Sequence, residues 1–164
     1  MKRLLFLLCI LCNIGTSYPR KYEFAQLSEK DGLSSNIATC VYQDHFGLIW
    51  IGTSNGLNLY TGENIYHYRH DISDTNSISD NYIVYISEDA DGTPWISTYN
   101  GLNKYVREDD HFARFFYDLD DSSTISHNVV KYHLADSHGN FWVTTRKGLN
   151  KPKLPSISWI SAVG

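Results

Sequence analysis

Beyond residue 20, short β-favouring runs alternate with clusters of Gly, Asn, Asp and Ser, and no stretch shows the period of an amphipathic helix. The first unit has four such runs, at 37–42, 48–53, 57–60 and 64–68. Each gap between them contains Gly, which supplies the positive φ that tight turns need, often beside Asp or Asn. This spacing predicts four short antiparallel strands joined by hairpin turns.

The second of these runs is apolar on both faces. Side chains alternate along a strand, so Trp50 and Gly52 share one face. The opposite face carries Ile49, Ile51 and Thr53. A strand with two apolar faces is buried on both sides, which predicts that other sheets pack against it. We expect the small residue at 52 to leave room for the indole. Sugar stacking by the Trp is the alternative, and its position in mid-strand disfavours it.

The unit occurs three times along the chain. Trp50, Trp95 and Trp142 are separated by 45 and 47 residues, and a four-stranded repeat of this length is typical of one β-propeller blade. The sequence therefore predicts an all-β fold: a β-propeller fragment of about three four-stranded antiparallel blades, with the ring not closed. The other residues that recur in step, which we interpret as structural, are Asp44, Asp89, Asp136, Gly47, Gly92, Gly139, Thr53, Thr98, Thr145, Asn36, Asn81, Asn128, Gly56, Gly101 and Gly148.

A secretory signal peptide is predicted ahead of the repeats. A basic start is followed by an apolar run at 4–14 and by small residues at Gly15 and Ser17. The run is shorter than the roughly 20 residues that a membrane span needs. The predicted organisation is a signal peptide at 1–17, a lead-in segment at 18–30, blade 1 at 31–75, blade 2 at 76–121, a partial blade 3 at 122–151 and a divergent tail at 152–164.

Charge and cysteine content exclude several classes of partner. The formal net charge of −4 becomes −6 once Lys2 and Arg3 leave with the signal peptide, which disfavours nucleic acid and anionic membranes. Cys9 and Cys12 leave as well, so Cys40 has no partner for an internal disulfide. Because Cys40 lies in a β-favouring run, we expect a buried strand residue rather than a reactive thiol.

No catalytic residue, metal site or cofactor is predicted. Asp44 and its counterparts are candidate general acids or metal ligands, but an Asp that caps a tight turn in every copy is a structural feature. The segment 89–92 resembles a calcium loop only superficially, because the terminal Glu about twelve residues from its start is missing. The seven histidines lack metal-ligand spacing. The alternative, a fragment of a propeller glycosidase or lyase, would show unique carboxylates clustered at the blade ends.

The repeated pattern resembles the two-component regulator propeller repeat. Its elements are Asn, then Asp-x-x-Gly-x-(apolar)-Trp-(apolar)-(small)-Thr, then Gly-Leu-Asn, and they stand here at 36–58. The Asn/Ser-rich segment 74–81 and the start at 24–34 are also similar, and the resemblance covers roughly 22–151. It implies the periplasmic sensor of a hybrid histidine kinase, as found in gut Bacteroidetes, which detects oligosaccharides and controls the genes that use them.

The chain also departs from that family. Its sensors carry many more blades, a Tyr-rich β-sandwich, a transmembrane helix, a kinase and a DNA-binding regulator, and the sequence shows none of these. After Lys151, the expected fourth strand is replaced by a segment with Pro152 and Pro155, which cannot donate to a ladder. We therefore expect a truncated or frameshifted gene, or an incomplete gene model. We also expect residues 18–164 to self-associate, aggregate or partly unfold, because three blades leave apolar faces and strand edges open.

A ligand site is expected at the rim formed by the turns between second and third strands and by the loops between blades. Amides and hydroxyls bond sugar hydroxyls, Tyr stacks on sugar rings, and Arg pairs with a uronate. Ordinary turn residues are the alternative interpretation. The expected partners are an oligosaccharide and either further blades of a longer protein or a second copy. A protein-interaction scaffold without a small ligand remains the other alternative. The candidate ligand residues are Ser54, Asn55, Tyr99, Asn100, Arg146 and Lys147.

Overall fold

The computed structural model describes residues 22–151, and the predicted signal peptide and divergent tail lie outside this range. Apart from a 3₁₀ turn at Glu29–Asp31, the regular structure within it is β-strand. No helix among these residues has the length and apolar character to cross a membrane. The strands are β1 Ala38–Gln43, β2 Ile49–Thr53, β3 Gly56–Tyr60, β4 Ile65–Tyr68, β5 Ile83–Glu88, β6 Pro94–Thr98, β7 Gly101–Val106, β8 His111–Phe115, β9 Val130–Ala135, β10 Phe141–Thr145 and β11 Gly148–Asn150.

These strands form three antiparallel sheets, in which each strand pairs with the next along the chain. Strands β1 to β4 make blade 1 and strands β5 to β8 make blade 2, while β9 to β11 make the described part of blade 3. The first strand of each blade has a bulge near its start. The predicted all-β fold of antiparallel blades is therefore confirmed.

Each blade packs face to face on the following one. We call the face toward the following blade the leading face, and the face toward the preceding blade the trailing face. Burial of these faces supplies the hydrophobic core, because each sheet covers apolar side chains of its neighbour. Between blades 1 and 2 the buried side chains are Trp50, Leu57, Leu59, Ile78, Ile83, Ile86, Ile96, Tyr105 and Phe112. Between blades 2 and 3 they are Leu102, Phe115, Ile125, Val130 and Val143.

The small residue beside Trp50 has a different purpose from the one predicted. A methyl group at Gly52 would lie 2.5 Å from Sγ of Cys40 and 2.6 Å from Cγ2 of Ile83, so side chains of the same sheet and of blade 2 fill the space rather than the indole. The sequence could not show this, because strand pairing does not reveal which side chain of the next blade enters. Cys40 was expected to be buried but is half-buried. Burial still raises the pKa of its thiol.

Burial of the repeated tryptophan depends on the blade that follows it. Trp50 is fully buried, with the ring of Tyr105 from blade 2 at 5.0 Å between centroids. Trp95 is half-buried and lies 4.6 Å from the ring of Phe141 in blade 3. No described blade follows Trp142, which is also half-buried. In blades 1 and 2 the tryptophan thus contacts both its own sheet, at Tyr68 and Phe115, and the blade that follows.

Candidate functional site

An aspartate in the first hairpin of each blade organises the turn and anchors the tryptophan. Oδ1 of Asp44 accepts hydrogen bonds from the backbone N–H groups of Phe46 at 3.0 Å and Leu48 at 2.9 Å. Oδ2 accepts one from the indole Nε1 of Trp50 at 3.1 Å, and blades 2 and 3 repeat this bond at 2.8 and 2.9 Å. The indole and amide donors hold the pKa of Asp136 well below its usual range. The carboxylate of Asp136 is therefore an anion that stabilises its turn.

A buried polar network joins the loop before each blade to the blade itself. The backbone N–H of Ser34 donates to Oδ1 of Asn58 at 2.8 Å, and Oγ of Ser34 lies 2.9 Å from Oγ1 of Thr53. The same two contacts occur in blades 2 and 3. Sequence reasoning identified the threonines and asparagines but missed the serines. Their signal was present, because Ser34, Ser79 and Ser126 recur at the same steps of 45 and 47 residues.

Backbone hydrogen bonds at the same end link successive blades. The N–H of Gly56 donates to the carbonyl of Asn81 at 2.7 Å, and the N–H of Gly101 donates to the carbonyl of Asn128 at 2.7 Å. Gly56 has a φ of 124°, and a Cβ there would lie 3.1 Å from the carbonyl oxygen of Tyr68. A side chain would be strained by the backbone and crowded by this neighbour. The recurring Gly and Asn therefore fix one blade against the next.

The predicted ligand residues occupy the β2–β3, β6–β7 and β10–β11 turns, at the same end as these links. Ser54 is half-buried, with its hydroxyl 3.1 Å from that of Ser35, and the other five are exposed. Nζ of Lys147 lies 5.4 Å from the ring centroid of Tyr117. The guanidinium of Arg146 makes no hydrogen bond or ion pair with any residue at 22–151. The exposed five are Asn55, Tyr99, Asn100, Arg146 and Lys147.

Blade 2 carries a stacked aromatic pair at this rim. The rings of Tyr82 and Tyr99 lie 4.4 Å apart at an angle of 11°, and half of Tyr99 is exposed. The N–H of Tyr99 donates to the carbonyl of Tyr82, and the other blades repeat this backbone bond. The positions that correspond to the pair hold Ile37 with Ser54 and Val129 with Arg146. Sequence reasoning missed Tyr82, because its contact with Tyr99 depends on the path of the interblade loop.

At the opposite rim, charged groups tie blade 1 to blade 2. Oε1 of Glu88 lies 2.7 Å from Nδ1 of His45, and its carboxylate also accepts the hydroxyl of Tyr42 at 3.4 Å. Nη2 of Arg107 donates to Oδ2 of Asp44 at 3.0 Å. His45 and Arg107 also line a cleft of about 620 Å³. These contacts therefore link blade 1 to blade 2 at this rim.

A buried histidine lies between blades 2 and 3. Nδ1 of His133 shares a hydrogen bond of 2.8 Å with Oγ of Ser97, while Nε2 has no partner among the described residues. Burial lowers the pKa of His133 to about 3, so the imidazole is neutral at physiological pH. Blades 1 and 2 have Val41 and Ile86 at this position of the repeat. No three His, Cys, Asp or Glu side chains within 22–151 are close enough together to hold a metal ion.

Three antiparallel sheets, packed leading face on trailing face, define this chain as a β-propeller segment. Residues 32–55 match the sequence model of the two component regulator propeller. The match extends from the turn before blade 1 to the first turn of the candidate rim. Over these residues the chain is therefore similar to the two-component regulator propeller repeat, and the resemblance inferred from the sequence is confirmed there.

Among solved structures, the chain is similar to the extracellular domain of a hybrid two component system from B. thetaiotaomicron. The identity is 28% and the TM-score 0.68, and the match covers 74% of this chain but 17% of that one. A second such extracellular domain from B. thetaiotaomicron is 18% identical over 70% of this chain and 22% of its own, with a TM-score of 0.34. A streptogramin B lyase is 18% identical over 72% and 41%, with a TM-score of 0.46. A search of curated proteins finds no match.

Proposed function

We propose that this chain is an exported ligand-sensing module of a two-component signalling protein, and that its ligand is an oligosaccharide. Export is supported by the basic, then apolar start of the sequence and by the similarity to an extracellular domain. The chain matches 17% of that domain. The kinase that would receive the signal is part of this proposal, and the described residues do not contain one. The ligand site is the rim that carries Ser54, Tyr99 and Arg146.

One observation carries this assignment: the backbone of the rim is repeated while its side chains differ. The N–H groups of residues 54, 99 and 146 donate to corresponding carbonyls at 3.0–3.3 Å. The residues that form the repeated hydrogen bonds of the first hairpin turns keep their type in every blade, as Asp44 and Trp50 do. A rigid frame with varied and exposed side chains is the arrangement that binding sites on repeat proteins use.

The chemistry of the exposed side chains at this rim suits a sugar. The stacked ring of Tyr99 offers an exposed aromatic face, and Tyr82 beneath it restricts its rotation. Ring faces bury the C–H surface of a pyranose, while hydroxyl and amide groups such as Asn100 bond its hydroxyls. The guanidinium of Arg146, which has no partner within residues 22–151, suits a carboxylate on the same ligand. We therefore expect preference for oligosaccharides that contain a uronic acid.

A glycan array that contains neutral and uronate oligosaccharides tests the proposal on the full chain. We expect binding that weakens at least tenfold in Tyr99→Ala and that loses its preference for acidic glycans in Arg146→Ala. Tyr66→Ala is the matched control, because Tyr66 is equally exposed but lies on the outer strand β4. Failure to bind any glycan, or equal losses in the Tyr66 and Tyr99 variants, would contradict the assignment.

A further inference from the structure

The residue before each interblade Asn caps the loop with its side chain, but the capping group differs in every blade. This position holds Ser35, Asp80 and His127. Each of these side chains accepts the backbone N–H of the residue two positions further along, at 3.2, 2.6 and 2.9 Å. A hydroxyl, a carboxylate and an imidazole all satisfy the same bond. The loop therefore requires an acceptor at this position and does not select among the three.

Asp80 and His127 both adjoin the turn that carries Tyr99. Asp80 accepts the N–H of Tyr82, whose ring stacks on that of Tyr99. His127 precedes Asn128, whose carbonyl accepts the N–H at the end of the same turn. Blade 2 has a described blade on each side, so this part of the rim is bounded by residues that the structure describes.

Each of these two caps keeps one polar atom that the loop does not use. Oδ2 of Asp80 and Nε2 of His127 make no hydrogen bond or ion pair within residues 22–151, and both residues are half-buried. Because Nδ1 of His127 accepts the N–H of Val129, the proton of the neutral imidazole is on Nε2. Asp80 therefore offers an acceptor, and His127 a donor, beside the exposed ring of Tyr99.

We propose that Asp80, Tyr99 and His127 form a subsite for an uncharged sugar unit, which rests on the proposed function, the binding of an oligosaccharide at this rim. The carboxylate of Asp80 accepts hydroxyl protons of the sugar, in hydrogen bonds strengthened by its charge. Nε2 of His127 donates to a hydroxyl or ring oxygen, and the ring of Tyr99 covers the C–H face. Acceptor, donor and aromatic face together match the surface of one pyranose.

Asp80 also disfavours an acidic sugar in this subsite. A uronate stacked on Tyr99 would lie beside a carboxylate that no cation pairs within residues 22–151, and like charges in contact oppose binding. Arg146 occupies the corresponding turn of the next blade. Since facing sheets lie about 10 Å apart, the two turns bind different units of one ligand. The ligand class we infer is an oligosaccharide with both an uncharged and a uronic acid unit, rather than a polyuronate.

A glycan array that holds neutral, mixed and all-uronate oligosaccharides of equal length tests this subsite on the full chain. We expect the wild-type chain to bind mixed oligosaccharides at least tenfold more tightly than all-uronate ones, about 1.4 kcal/mol or more. In Asp80→Asn the amide oxygen still caps the loop but the charge is gone. We therefore expect this affinity ratio to fall to about one in the variant.

Asp71→Asn is the matched control for this substitution. Asp71 also accepts the N–H of the residue two positions further along, at 2.8 Å, but it lies exposed in the loop between blades 1 and 2. Its affinity ratio should equal that of the wild-type chain. A wild-type ratio in Asp80→Asn would overturn the subsite while the rim still binds glycans. If the wild-type chain binds no glycan, the proposed function itself fails, and the subsite with it.

Histidine-selective ¹H–¹⁵N NMR of the wild-type chain gives a second measurement that needs no substitution. We expect His127 to carry its proton on Nε2 and its signals to shift saturably with the mixed oligosaccharide that binds best on the array. The signals of His67, exposed on β4, should stay unchanged. A proton on Nδ1 of His127, or His127 signals that stay fixed while those of the Tyr99 ring move, would overturn the subsite.

Discussion

The indole Nε1 of Trp50 donates a hydrogen bond of 3.1 Å to Oδ2 of Asp44, and Arg107 of the next blade donates to the same oxygen at 3.0 Å. A single carboxylate thus joins the first turn of blade 1, its buried ring and blade 2. Asp44 is 4% exposed, so removal of its carboxylate would leave several buried donors without an acceptor.

Asp44→Ala should lower the free energy of unfolding by about 2–4 kcal/mol, since unsatisfied buried donors and an unpaired guanidinium remain. Chemical denaturation followed by Trp fluorescence measures this loss. Asp91→Ala is the control, because Asp91 lies exposed in the corresponding turn of blade 2. A loss for Asp44→Ala no larger than that of the control would show that the turn does not depend on the carboxylate.

Replacement of the repeated tryptophan by alanine should lower the free energy of unfolding less in blade 3 than in blade 1, because less of the ring is buried there. Trp50→Ala should destabilise by about 3–5 kcal/mol, as large-to-small core changes do. Trp142→Ala should cost less than half as much, because no described blade covers that ring. Tyr99→Ala, an exposed-turn change, should cost under about 1.5 kcal/mol. Equal losses at Trp50 and Trp142 in denaturant titrations would argue against interblade burial as the source of stability.

Stability should fall on mild acidification because of His133. Its pKa is about 3 in the folded chain, below the value of about 6.5 expected when unfolded, since burial excludes the charged form. The unfolded state therefore takes up a proton first, and stability present above pH 6.5 is lost as the pH falls from 6.5 toward 3. At pH 5 the loss is on the order of 2 kcal/mol.

His133→Ile should remove this acid dependence, because Ile86 occupies the same position of blade 2. His67→Gln is the control, since His67 is exposed on the outer strand of blade 1. The measurement is denaturant unfolding at pH 7.5 and at pH 5. An unchanged difference between the two pH values in His133→Ile would place the acid sensitivity elsewhere.

The chain should be processed near Ser17 when it is produced in a bacterium with an outer membrane, because of the basic start and short apolar run. N-terminal sequencing of the exported chain should find Tyr18 or a residue close to it first. An exported product that begins with Met1 would contradict the prediction.

The sequence predicted most of the scaffold because the same local requirements recur in it. Spacing of Trp50, Gly56 and their counterparts indicated the blades, and Gly and Asp indicated the turns. Contacts between blades could not be predicted in the same way. The stacking of Tyr82 on Tyr99 and the burial of His133 each depend on how one blade sits against the next. A single position in a repeat does not specify that placement.

The most direct test of the rim assignment is NMR of the full chain with ring-labelled tyrosine, titrated with the glycan that binds best on the array. We predict that the ring signals of Tyr82 and Tyr99 shift together and saturably, while that of Tyr66 stays unchanged. Arg146→Ala should weaken the same shifts for a uronate glycan. Shifts confined to Tyr105, which lines the cleft at the opposite rim, would contradict the account.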